Sequence, residues 1–170
     1  QKANDLIDLP STTRRNLELT QTLRGEDSPT LFSLLDSCMT GMGSRQLKQW
    51  LLNPPRDRQV AVERLAAIDQ LNDNSAAAQS GIAIWSRLRE QLKGASDVER
   101  ITARIALRQV RPRELVALKN ALLRSANLAL HLQETLGHLS PTKLLHDIHF
   151  DLQPPAGLTE ILQQALLEEP

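Results

Sequence analysis

The sequence predicts an all-α fold, an irregular multi-helix bundle, on three observations. Aromatic side chains are confined to Phe32, Trp50, Trp85 and Phe150, while Leu and Ala recur throughout the 170 residues. A core of Leu and Ala with few β-branched runs favours helices packed on helices. Apolar residues also return at steps of three and four in several windows, which places them on one helical face. Finally, Pro, Gly, Ser, Thr and Asp fall between those windows, where caps and breaks belong.

Taken in order, residues 1–10 read as a linker or the end of a connector, and residues 11–170 as the helical body. Ser11, Thr12 and Thr13 offer an N-cap for a short turn through Arg14 and Arg15. Leu17 and Leu19 then alternate with polar residues, as in one short extended segment near the N-terminus. Gly25 to Pro29 is a turn, and Thr30 caps a short helix carrying Leu31, Leu34 and Leu35 that ends near Asp36 to Cys38. A cap at Gly43 or Ser44 opens the helix of Leu47, Trp50 and Leu51, which Pro54 and Pro55 stop. Gly41 and Gly43 thus form a structural junction between two helices, where a left-handed backbone is expected and glycine adopts it at little cost.

Asp57 caps a longer helix with Ala61, Leu65, Ile68 and Leu71 facing inward, closed by Asn72 to Ser75. Ile82, Trp85, Leu88 and Leu92 mark another, broken at Gly94. Ser96 or Asp97 caps a third, with Val98, Ile101 and Ile105 inward. Pro112 opens the longest, whose stripe of Leu115, Leu118, Leu122, Ala126, Ala129 and Leu132 runs toward Gly137. A short helix is expected after Pro141, and a final one carries Leu158, Ile161, Leu162, Ala165 and Leu166. The chain starts at Gln1, and its last stripe runs into Glu168, Glu169 and Pro170 with nothing after it to pack on. A piece of a longer polypeptide, soluble but with some apolar surface exposed, is therefore expected.

Charge gives little help to nucleic-acid binding: 20 Lys and Arg balance 20 Asp and Glu, so no overall basic field draws this segment to phosphates. No apolar run approaches a membrane span and no signal sequence is visible. Cys38, the only cysteine, reads as a small semi-buried side chain in a reducing compartment. The expected location is cytoplasmic.

Four constellations could carry chemistry. His131, His138, His146 and His149 cluster in sequence, but their spacing mixes a helix end with a turn, and no Cys or carboxylate pair completes a metal shell. Asp97 with Glu99, and Glu168 with Glu169, read better as caps and solvated faces than as acid/base pairs. Gly41-Met42-Gly43 lacks the Lys-Ser/Thr of a phosphate-binding loop, so no nucleotide site is expected by that device. Arg100, Arg104, Arg108 and Arg111 step as one helical face and are the candidate DNA contacts; the competing reading pairs them with neighbouring carboxylates. No catalytic, cofactor-binding or metal residue is assigned.

One ordered set of motifs goes further. The run Thr13-Arg14-Arg15-Asn16-Leu17-Glu18-Leu19 is followed by Thr30-Leu31 with Leu34-Leu35-Asp36, then by Thr40-Gly41-Met42-Gly43-Ser44-Arg45 leading to Trp50-Leu51 and Pro54. Arg64, Asp97-Val98-Glu99-Arg100-Ile101 with Arg104, and Pro112-Arg113-Glu114-Leu115 come next. This order resembles the bacterial MutS family of DNA mismatch repair proteins over about residues 5 to 120. Pro55, Asp69 and Leu9-Pro10 depart from the pattern and bear only on local turns.

The resemblance implies the first part of a helical core, or lever, domain, incomplete without the DNA clamp and the returning helices. It implies a parent that recognises mispaired bases in double-stranded DNA as a homodimer, uses ATP and Mg, and recruits downstream mismatch repair proteins, nucleoid-associated in the cytoplasm and away from any membrane. The segment itself is left with no cofactor, with other domains of its own chain as partners, and with a non-catalytic mechanical role. The alternative is a free-standing helical protein-interaction module.

Overall fold

The computed structural model describes residues 5–72, 83–136 and 140–166, and among these it contains helices and no strand. Chain contacts divide the protein into two compact units, residues 1–62 and 63–170.

The first unit holds α1 (Ser11–Asn16), α2 (Leu31–Leu35) and α3 (Gly41–Leu52). Pro10 precedes α1 and no side chain caps it, so Ser11 is the first helical residue rather than the cap. Residues Leu17 to Leu19 are not extended. Instead Glu18 turns left-handed at φ 45°, its N–H donates to Arg15 O, and Leu19 N–H donates to Arg14 O, which is a Schellman ending with Glu in the place glycine usually takes. The reversal buries Leu19 and leaves Leu17 exposed. Thr22 and Glu26 close the following turn through Gly25 at φ 85°. Thr30 caps α2 as expected, in a reciprocal box with Ser33. Leu31, Leu34 and Leu35 nonetheless stay exposed.

Residues 5–10 are held rather than loose. Leu6 bridges Pro55, Ile7 N–H donates to Pro54 O at 2.8 Å, and Arg56 reaches Leu6 O through Nε at 2.8 Å.

The unit boundary falls within α4 (Arg58–Asn72), which Asp57 opens by accepting from Gln59 N–H at 2.8 Å. Of the expected inward stripe only Leu71 packs on the core, beside buried Ala67; Ala61, Leu65 and Ile68 are exposed. Val60, Ala67 and Leu71 offer an equally apolar second face, and packing chose that one.

The second unit continues with α5 (Ile84–Leu92), α6 (Val98–Ala106), α7 (Pro112–Leu136), α8 (Lys143–Asp151) and α9 (Leu158–Ala165). Helix α7 packs against α5, α6, α8 and α9. Pro112 is its first residue, as the sequence predicts. Toward its start, Leu118 joins Ile101 of α6 and Leu162 of α9 in one buried cluster. Toward its end, Leu132 and Leu136 join Ala67 and Leu145 in another, with Leu71, Leu88 and Leu144 against it. Leu118 and Leu132 are separated by about 21 Å along the helix. In α5 the buried residue is Ile84, not Trp85, and in α6 Ile105 turns outward while Ile101 is buried. Likewise Leu162 is buried in α9 and Ile161 is exposed. Ile82, Gly137, residues 73–75 and residues 168–170, named in the sequence reading, lie outside the described residues.

Polar ties reinforce the packing. Arg124 Nη1 on α7 donates to Gln91 O at 2.6 Å and Lys93 O at 2.9 Å, holding the last carbonyls of α5. Gln70 bridges α4 to the start of α8, donating to Ser140 O and accepting from Thr142 N–H. Ser125 Oγ donates to Leu152 O.

These two faces of α4 and the seam of α7 predict different costs for the same change. Leu132→Ala, at a site 3% exposed, should destabilise the chain by about 2–5 kcal/mol. Leu65→Ala, at a site 60% exposed, should stay within about 0.5 kcal/mol. Urea unfolding followed by circular dichroism measures both, and comparable losses would put the wrong face of α4 inside.

Candidate functional site

The candidate arginines do not share one helix. Helix α6 ends at Ala106, and Arg108 takes the left-handed turn at φ 55°. Its N–H donates to Ile105 O and that of Gln109 to Arg104 O, a second Schellman ending without glycine. Arg100 and Arg104 therefore lie on α6, whereas Arg108 and Arg111 lie on the turn into α7. The expected single stripe is corrected to two pairs.

Neighbouring carboxylates take up the first pair. Arg100 Nε lies 3.3 Å from Asp97 Oδ2, and Arg104 Nε lies 3.2 Å from Glu114 Oε1. Asp97 also caps α6 by accepting from Arg100 N–H. Glu114, in the first turn of α7, accepts from Arg111 N–H at 2.8 Å through its other oxygen. One carboxylate thus finishes the start of α7 and ties α6 to it. Arg100 is mostly exposed, so its ion pair stabilises weakly and leaves the side chain able to exchange partners.

The glycine junction has a different physics from the one expected. Thr40, not Gly43 or Ser44, caps α3, its hydroxyl accepting from Gly43 N–H at 3.0 Å. Gly41 and Gly43 are inside the first turn, and Gly43 is not among the left-handed residues. Closeness, not φ, is what Gly43 answers to: a Cβ there would meet Thr40 Oγ1 at 3.2 Å and Cys38 Cβ at 3.3 Å. Asp36 clamps the same junction, accepting from Cys38 N–H at 3.2 Å and Ser44 Oγ–H at 3.0 Å. The sequence reading missed this clamp, although Thr40, placed three residues before Gly43, is a readable cap signal. Cys38 is exposed rather than semi-buried.

Burial pushes the Asp36 carboxyl pKa up, but the Ser44 hydroxyl together with Cys38 donors outweighs it and holds the group below the ordinary aspartate value.

The histidines do different jobs. His149 Nδ1 lies 3.1 Å from Ala129 O, and exposed His146 lies beside Asp147 at 3.7 Å. His138 is outside the described residues, among which no group of three or more His, Cys, Asp or Glu is placed to hold a metal ion. Gly41-Met42-Gly43 is helical, forming the first turn of α3. Among the described residues no helix is long and apolar enough to cross a membrane.

A family model, MutS domain III, matches residues 12–170. The chain belongs to that family. It is a core domain of the MutS mismatch-repair type, and the match extends the resemblance read from the motifs through the last two helices.

Two tests follow for this MutS core domain. Gly43→Val should cost about 1–3 kcal/mol through overpacking, and Thr40→Ala about 1 kcal/mol through loss of the cap. Because both act on one hydroxyl, the double variant should lose less than the sum in a double-mutant cycle of urea melts; strict additivity would separate Gly43 from the cap. For Asp36 the depressed value means that the clamp adds stability above the ordinary aspartate pKa and loses it as pH falls through the lower folded value. In an NMR titration Ser44→Ala should move the Asp36 midpoint upward, and an unmoved midpoint would remove Ser44 from the clamp.

Proposed function

We propose that the domain is a non-catalytic lever of a longer mismatch-repair protein, passing conformational change between an ATPase domain and a DNA clamp. The observation that carries this reading is α7: one uninterrupted helix of 25 residues, about 37 Å long, with a buried cluster toward each end. Such a rod moves both clusters together. On this reading residues 1–10 finish a connector, residues 11–170 form the incomplete core, and the exposed face of α4 belongs with the returning helices.

ATP and Mg act in another domain of the parent, which works as a homodimer on mispaired double-stranded DNA and recruits downstream repair proteins in the cytoplasm. The balanced charge and the two paired arginines support a core that contributes little to DNA affinity by itself. Arg108 and Arg111 are then the stronger candidates for phosphate contact.

Softening the rod tests the proposal. In the longer protein, Asn127→Gly with Leu130→Gly places two glycines at exposed positions of α7, at about 1 kcal/mol each. ATP affinity and mismatch binding should persist while mismatch-triggered nucleotide exchange and sliding on DNA slow at least several-fold. Exchange and sliding at the unaltered rate, with α7 still helical, would show that the rod transmits nothing.

A further inference from the structure

The motif that carries the family resemblance lines a cleft that the lever role does not use. Within the first unit, Ser11, Arg14 and Arg15 of α1, Thr20, Gln21, Thr22 and Gly25 of the following turn, and Leu52 of α3 line an open cleft of about 490 Å³. That volume is within the range of small-ligand sites. None of these described lining residues is acidic, and two are arginines adjacent in sequence.

The bonding of the two guanidiniums makes the cleft electropositive. Arg14 donates through Nε to Leu9 O at 2.7 Å, and Arg15 through Nη2 to Leu23 O at 3.0 Å. Both partners are neutral carbonyls that fix the side chains without cancelling their charge. Each guanidinium has five N–H donors, so most remain available. The nearest acidic residue in sequence, Glu18, is not among the lining residues and accepts from Leu23 N–H at 2.7 Å. Among the described residues neither arginine forms an ion pair, and Ser11 and Thr20 add two hydroxyls to the lining. Two anchored forks, two hydroxyl donors and a described lining without carboxylates match the oxygens of a phosphate group. None of the described lining residues is aromatic, so the recognition proposed here is of the phosphate and not of a base.

We propose that this cleft is a binding site for a phosphate oxyanion, held by Arg14 and Arg15 with Ser11 and Thr20. The site is separate from the arginines of α6 and from the lever reading. Its source is either a free phosphate compound or the phosphodiester backbone of DNA, which present the same oxygens.

The test titrates the full 170-residue chain with sodium pyrophosphate at constant ionic strength, following backbone amides by NMR. Saturable shifts should gather at Ser11, Arg14, Arg15, Thr20 and Gly25. Arg15→Gln should weaken binding about tenfold, and Arg15→Lys, which keeps the charge but loses the fork, several-fold. Arg15 is chosen because it is exposed; if the glutamine variant loses its helical signal, the lysine variant decides. Shifts that never saturate, that scatter over the surface, or that are unchanged in the folded Arg15 variant would overturn the proposal. Adding a DNA duplex then separates the sources: displacement of pyrophosphate assigns the site to the DNA backbone, and no displacement assigns it to free phosphate compounds. Both of these outcomes keep the site.

Discussion

The second unit depends on the burial of one apolar seam along α7. Its neighbours α5, α6 and α8 have nine residues each and α9 has eight, lengths at which an isolated helix is marginal in water. They are helical because Leu88, Ile101, Leu145 and Leu162 pack along that seam, the three buried ones each contributing on the order of 1.5–3 kcal/mol. Removing the seam would therefore dissolve the neighbours as well as the contact. No large side chain among the described residues is fully enclosed, so the balance is held by many partial burials rather than by a deep centre.

That arrangement suits the positional role proposed for the domain. Polar bonds from α7 itself, through Arg124, Ser125 and the carbonyl of Ala129, fix the ends of other helices at defined places along the rod. Apolar contacts supply adhesion without direction, whereas these bonds specify register. In the first unit the corresponding register is set by short-range devices, the Thr30 box, the Thr40 cap and the Asp36 clamp.

Much of this was readable from the amino acids. Thr30, Asp57 and Asp97 cap where side-chain chemistry says they should, and Pro112 starts α7 because its fixed φ and missing N–H suit that position. What sequence reading could not supply was the choice between two apolar faces. Helix α4 has Ala61, Leu65 and Ile68 on one side and Val60, Ala67 and Leu71 on the other, and only a tertiary partner decides between them. Two helix ends were also hidden, because Glu18 and Arg108 adopt the left-handed conformation that glycine normally announces. The second of these split the candidate arginine stripe. Arg14 and Arg15 served in the sequence only as a family mark, since a cleft depends on where the chain folds back and not on local spacing.

The bond from Arg124 to the end of α5 also means that the two ends of that helix are held by different physics. Its carbonyl end is gripped by a cation that complements the helix dipole, while its amide end at Ala83 has no capping side chain. Its first turn is kept instead by Ile84, which is 3% exposed, so the front of the helix is glued by exclusion of water and the back is pinned by charge. Full unfolding of α5 must therefore both expose Ile84 to water and strip the guanidinium from both carbonyls.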